Sequence, residues 1–259
     1  IENLPDDYVL DITKPLHPKV PEMGQVTVPF TKTVYIDASD FRTQDAPDYF
    51  RLAPGKTVGL YQVPHPVTCT SFRTNDAGEV TELVCRYENG ASPVVPKTYI
   101  QWVAEHAPSQ SPVRVAEARL FHPLFTCEDP AAQDDFLAFI NPDSREILRD
   151  AMLEVGIFRV AEMAIAQAKR EAHERVQQAA QLAENALGKD AAQSVQADDA
   201  SQASASSTVG KECVRFQAMR VGYFAADSDS SMALFGDQAA PRLVLNRIVS
   251  LKEDAGKSK

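Results

Sequence analysis

"HPVTCTSFRTNDAGEVTELVCRYE", residues 65–88, decides the fold. Val, Thr, Phe, Cys and Tyr dominate both halves, and each half is too short and too alternating for a helix. The stretch therefore reads as two strands, 65–73 and 79–88, folded back on each other. "TNDAG" (74–78) between them is a hairpin turn in which Asp and Gly supply left-handed positions. Just upstream, "YFRLAPGKTVGL" (49–60) contains Pro54-Gly55 and then a short alternating run. Gly55-Lys56-Thr57 imitates a phosphate loop, but that motif needs an earlier glycine where this chain has Phe50, and a helix after it. A strand over 56–63 follows instead, so Pro54-Gly55 reads as the centre of a type II turn.

The same pattern extends outward. Residues 1–36 read as extended, with alternation in "YVLDI" (8–12), "QVTVPF" (25–30) and "KTVYI" (32–36), and with three prolines in "KPLHPKVPEMG" (14–24) that forbid helix. Residues 38–48 read as a helical turn starting at Ser39, or as a polar loop. Past a break at 90–96, "KTYIQWVAEH" (97–106) and "PVRVAEARLF" (112–121) read as strands. A short helix is expected over 129–140, and 145–153 fits either strand or helix. Residues 157–187 carry a helical stripe that is mostly alanine, ended by Gly188. The low-complexity run 189–210 lacks aromatics and reads as a disordered loop. Strands return at 212–219, 221–227 and 242–251, before a polar tail.

Bulk properties narrow the function. The 259 residues are 44% hydrophobic and 24% charged, the composition of a globular protein with ample core. No 20-residue apolar span exists, so no membrane helix is expected, and "IENLPDDYVL" is not a signal peptide. The chain lacks an initiator Met, which points to a fragment of a longer protein. Cys69, Cys85, Cys127 and Cys213 are widely spaced and form no CxxC, so free, mostly buried thiols in a reducing compartment are expected. The net charge of −10 argues against general nucleic-acid binding, although a local basic face is enough for a specific contact. His17, His65, His106, His122 and His173 make no metal-ligand pattern, no GxSxG or other nucleophile signature occurs, and no catalytic centre is found. What remains is a set of side chains suited to bases: Arg51 beside Tyr49 and Phe50, and Gln217 and Arg220 just before Tyr223 and Phe224. Guanidinium and amide groups read base edges in pairs of hydrogen bonds, and aromatics stack on splayed-out bases.

In order along the chain, "HPKVPEMGQVTVPFTKTVYIDASDFR" (17–42), "YFRLAPGK" (49–56), "IQWV" (100–103), "RLFHPLF" (119–125), "DDFLAFINPDS" (134–144), "FQAMRVGYFAAD" (216–227) and "VLNRIVSLKED" (244–254) resemble the C-terminal anticodon-binding region of glutaminyl-tRNA synthetases. These belong to the class I glutamyl/glutaminyl subgroup, and the wording is closest to the eukaryotic, fungal-like form. The resemblance covers nearly everything except 152–211, and ranks above the glutamyl-tRNA synthetases, which share the barrels. It implies a mainly β fold of two antiparallel β-barrels of the ribosomal-protein-like anticodon-binding type, with an inserted long helix and disordered loop. Residues 1–92 would supply the first barrel and 97–259 the second, their strands interleaved, with 152–210 as the insertion.

The resemblance implies binding to the anticodon loop of the glutamine tRNA in the cytoplasm, with no membrane contact. It also implies a separate N-terminal catalytic domain that uses ATP and Mg, and no cofactor held by this chain. Gln217 and Arg220 would contact the middle anticodon base, Arg51 the third, with Tyr49 and Tyr61 beside them. The bacterial pattern departs at Gly59 and Tyr61, where it has two arginines for the first base, and at Asp48, where it has a glutamine. A different class of function stays open, a protein-interaction module that docks through the helix 157–187.

Overall fold

The computed structural model describes residues 1–92, 94–187, 209–231, 233, 237 and 241–251, and divides into two compact units. The first comprises Ile1–Val113 with Met152–Ile157, and the second Arg114–Ala151 with Phe158–Lys259. The expected Gly188 helix stop, the tail from 252 and nearly all of the expected loop 189–210 lie outside the described residues.

The first unit is built from short strands. β1 (Val9–Pro15) pairs antiparallel with β2 (Gln25–Thr31), and β3 (Val34–Tyr35) later finds β8 (Val103–Ala104). β4 (Thr57–Leu60), β5 (Val67–Thr74), β6 (Val80–Tyr87) and β7 (Tyr99–Ile100) form a sheet in the order β6-β5-β4-β7. The alternation in β2 buries Val28 and Phe30, and the Phe30 ring is the centre of the core. Tyr8 and Trp102 meet it edge-on, with the Trp102 ring centroid 5.3 Å away, and Tyr87 lies tilted against it. Pro29 sits within β2, where it is tolerated because the two-stranded β1–β2 ribbon asks little of its missing N–H.

Of the two turns that decide the reading, the first forms as expected and the second only in part. Lys56 N–H donates to Ala53 O at 2.9 Å with Gly55 at φ 79°, a type II turn that leads into β4. In the β5–β6 hairpin Gly78 takes φ 81°, but Asp76 does not take the second left-handed position. Asn75 does the closing instead, its side-chain oxygen accepting from the N–H groups of Ala77 and Glu79. Cys69 and Cys85 face each other across this hairpin as buried free thiols, and burial pushes the Cys85 thiol up to about 12.

The second unit holds a sheet in the order β10-β9-β14-β13-β12. Its strands are β9 (Val113–Phe121), β10 (Arg145–Leu148), β12 (Arg215–Ala218), β13 (Gly222–Ala226) and β14 (Leu243–Ser250). β11 (Ala151–Leu153) follows β10 after Asp150 turns at φ 57°, which resolves 145–153 as strand. The helix expected over 157–187 is α1 (Gly156–Leu187). The short helix expected over 129–140 is two 3-10 turns, Pro130–Ala132 and Phe136–Phe139. Asp129 caps the first and Asp135 restarts the second, with Gln133 extended between them, so neither propagates. Likewise 97–106 breaks into β7 and β8 around Gln101 and Trp102.

β14 runs parallel to β9, and ion pairs fasten the seam. Arg119 reaches Asp229 at 2.8 Å, Glu117 at 3.0 Å and Asp227 at 3.3 Å, and Arg242 adds a 2.8 Å contact to Glu117. Asp227 also accepts from the Asp229 N–H and from the Asn246 amide. The fully buried Ser230 hydroxyl donates to Val244 O and accepts from Val244 N–H, which pins the 227–231 loop to β14. The Asp229 N–H bond, then the Asn246 amide and the Arg119 charge, hold the Asp227 carboxyl below the usual range.

A depressed folded-state pKa gives stability that is present above the ordinary carboxylate range and is lost as pH falls through the folded value. Urea unfolding at a series of acidic pH values will therefore show stability falling below about pH 4. Asp227→Asn will be less stable at neutral pH and lose less on acidification, and an unchanged acid slope in that variant would remove Asp227 from the account.

Candidate nucleic-acid interface

The loop that leads into β4 is organised by one buried carboxylate. Asp37 accepts from Ser39 N–H at 2.8 Å and starts a 3-10 turn over Ala38–Asp40, one residue before the expected start. Asp40, at the end of that turn, is 1% exposed. Its backbone oxygen accepts from Leu52 N–H, Arg42 N–H donates to Leu52 O, and Phe41 and Leu52 form a parallel bridge. Arg51 Nη1 lies 2.9 Å from Asp40 Oδ1 and donates to Ser39 O at 3.3 Å. Both contacts fall on Nη1, so the other edge of the guanidinium carries neither bond. Its side chain is 37% exposed, against 2% for Asp40. A planar donor fork anchored on one side and open on the other suits a bidentate contact.

Tyr49 and Phe50 divide differently from the reading that put Tyr49 beside the bases. Tyr49 is buried, with the Arg42 guanidinium 4.4 Å above its ring. Its hydroxyl is buried without a hydrogen-bond partner, and burial pushes the phenol up. Phe50, by contrast, is 59% exposed and is the open ring next to Arg51. Lys56, the lysine of the false phosphate loop, ties the Asp45 carboxylate and the backbone oxygens of Ala46 and Tyr49 together. The Lys56 bond holds the Asp45 carboxyl below its usual range.

Gly59 lies on β4 opposite Tyr99 of β7, in a parallel pair. A Cβ added at Gly59 would stand 2.3 Å from Tyr99 Cδ1, so the tyrosine ring covers the glycine where a side chain would be. Tyr99 is 54% exposed, an outward aromatic surface that the sequence reading did not include. Tyr61, half-buried, follows at the end of β4, where its backbone oxygen accepts from Trp102 Nε1 at 3.0 Å. Position 59 is thus a glycine under a ring, and position 61 a second tyrosine.

In the second unit the β12–β13 hairpin carries the other candidates. Gln217 is exposed and sits directly across from Tyr223, itself 42% exposed. Arg220 is exposed in the hairpin turn, with φ 68°, and Val221 N–H donates to Ala218 O across it. That backbone region is costly for a side-chain-bearing residue and favours glycine. An arginine held there sits at the tip of the hairpin. Among the described residues, no group of three His, Cys, Asp or Glu is placed to hold a metal.

Comparison with known proteins gives this geometry its class. Two family profiles, both described as the anti-codon binding domain of class I tRNA synthetases (E and Q), match residues 1–88 and 99–177. The chain belongs to this family of anticodon-binding domains. Among individual relatives it is 38% identical to a probable glutamine–tRNA ligase of Schizosaccharomyces pombe, over 100% of this chain and 28% of that protein. It is 40% identical to the glutamine–tRNA ligase protein virJ of Hypocrea virens, over 96% of this chain and 31% of the relative. With the glutamine–tRNA ligase of Saccharomyces cerevisiae it shares 35% identity, over 99% of this chain and 28% of the relative. The chain thus spans under a third of each relative's length.

The covering of Gly59 by Tyr99 is testable by a double-mutant cycle. Gly59→Ala will cost roughly 1–3 kcal/mol in urea unfolding, as other overpacking changes do. In a Tyr99→Ser background the same change will cost much less, and purely additive costs would contradict the packing.

Proposed function

We propose that this chain reads the anticodon loop of the glutamine tRNA as part of a cytoplasmic glutamine–tRNA ligase. The catalytic part of that ligase, which uses ATP and Mg, esterifies glutamine to the tRNA. The observation that carries the reading is the β12–β13 hairpin, which puts the amide of Gln217 and the guanidinium of Arg220 on an exposed edge beside Tyr223. Similarity to glutamine–tRNA ligases over the whole chain supports the choice of RNA. Four free thiols support a reducing compartment, and no described helix is long and apolar enough to cross a membrane.

The chemistry follows from the groups. With a net charge of −10, bulk attraction to phosphate contributes little, and affinity must come from local contacts. Unpaired loop bases splay out, an amide or guanidinium takes two atoms of a base edge, and an exposed ring stacks on its face. Gln217 and Arg220 supply the first kind of contact for the middle base, and the anchored Arg51 supplies it for the third. Phe50, Tyr61 and Tyr99 supply ring surface. A glycine and a tyrosine in place of two arginines loosen the reading of the first base, in keeping with glutamine codons that differ at that place. The protein-docking reading of α1 has less behind it, since Leu182 is its one large exposed apolar side chain among the described residues.

The direct test replaces Arg220 without disturbing its turn. Glycine accepts φ 68°, so Arg220→Gly keeps the backbone and removes the guanidinium. Binding to a glutamine anticodon stem-loop, followed by fluorescence anisotropy, will weaken by about 1–3 kcal/mol. A loop with the middle base exchanged will lose much less. An equal loss on both RNAs would mean that Arg220 does not read the base.

A further inference from the structure

Base contacts select an RNA sequence, but contacts to phosphate position the strand and fix the register of the base readers. In a chain with a net charge of −10, a phosphate contact must come from an individual cation whose charge the protein has not already used. Three cations stand around the Tyr49 ring. Arg51 is held by Asp40, and Lys56 by Asp45 and the backbone oxygens of Ala46 and Tyr49. The third is Arg42, and its situation differs.

Arg42 is exposed, with its guanidinium carbon 4.4 Å from the centroid of the Tyr49 ring. Among the described residues its side chain makes no hydrogen bond and no ion pair, and the exposed Asp48, one residue before Tyr49, does not pair with it. The cation–π contact holds the guanidinium in place and uses none of its N–H donors. The ring beneath it is part of the packed interior, 7% exposed and also faced by Lys56 Nζ at 5.6 Å. The Phe41–Leu52 bridge sets the direction of the side chain. Phe41 packs on Phe72 and Leu52 lies in the core, so alternation sends Asp40, Arg42 and Arg51 to the other side. The ion pair between Asp40 and Arg51 agrees with this placement. Both guanidiniums also act on the Tyr49 phenol, which puts them around one ring.

We propose that Arg42 is a phosphate contact of this interface, holding the RNA backbone beside the base that Arg51 reads. The inference rests on the anticodon reading and adds to it a residue of a different kind. A guanidinium is planar and always charged, and its fork of donors matches two phosphate oxygens. Tyr49 covers one face of the Arg42 group and leaves its donors unused. A base stacked on the outer face would leave those donors without an acceptor, whereas a phosphate answers the donors and the charge together. Arg51, with its charge already met by Asp40, is suited to a neutral base edge, and Arg42 to the anion next to it.

The test measures affinity for the glutamine anticodon stem-loop, and for the same loop with its third base exchanged, across a range of salt concentrations. The parent chain is compared with Arg42→Gln and Arg42→Lys. Loss of one phosphate contact reduces the magnitude of the slope of log K against log salt by about 0.7–1. The expected result is that reduction in Arg42→Gln, with the same factor of affinity lost on both loops. Arg42→Lys, which keeps the charge, will retain the parent slope. An unchanged slope in Arg42→Gln would overturn the proposal. So would a slope reduced as much in Arg42→Lys, which would make the packing on Tyr49 the cause, or a loss confined to the loop with the glutamine third base, which would make Arg42 a base reader. A parent chain that binds neither loop would overturn the anticodon reading itself, and this inference with it.

Discussion

A carboxylate that is 1% exposed needs a counter-charge, and for Asp40 that charge is Arg51. The arrangement of the 37–52 segment follows from this contact. It fixes the spacing between the 3-10 turn at Ala38–Asp40 and the strand-like segment at Leu52, which the backbone bonds of Asp40, Arg42 and Leu52 then lock. With Leu52 buried in the core, Tyr49 packs inward beneath Arg42, and Phe50 and one edge of Arg51 are left outside. Lys56 closes the loop from the other end. A loop made this way would give up little conformational entropy on meeting a ligand, because its order is already set by the fold.

The second unit uses the same device around a different residue. Arg119 gathers Glu117, Asp227 and Asp229 at the parallel seam between β9 and β14. β14 in turn pairs with β13, and β13 with β12, so the hairpin bearing Gln217 and Arg220 hangs on a sheet that these charges help to register. In the first unit the arginine–carboxylate contact holds Arg51 itself, and in the second the Arg119 cluster stands at the β9–β14 seam of the sheet whose outer strand β12 carries Gln217. The acidic composition is therefore compatible with RNA binding, since some of the acids serve as anchors for arginines.

How much of this is legible in the sequence depends on how local the cause is. The 65–88 hairpin, the Pro54-Gly55 turn and the helix over 157–187 follow from neighbours a few residues apart, and they lie where the pattern puts them. The expected helix over 129–140 fails for a local reason too, since Asp129 and Asp135 each begin a separate turn. The covering of Gly59 by Tyr99 depends on two strands forty residues apart lying side by side, which no pattern in either strand announces. The exchange of roles between Tyr49 and Phe50 depends on the core accepting Leu52, and the left-handed backbone of Arg220 on the closure of its hairpin. Residue types at the site are thus readable, whereas their exposure is decided by long-range packing.

These points meet in one claim, that the exposed edges of Gln217, Arg220 and Arg51 recognise individual unpaired bases. The most direct measurement is the affinity of the unmodified chain for anticodon stem-loops that differ only in the middle base. The account predicts that the glutamine loop binds more tightly than each exchanged loop by about 1–3 kcal/mol, the value of one bidentate base contact. Equal affinity for all of the loops at matched salt would contradict it, and would reduce the surface to a sequence-blind contact with the RNA backbone.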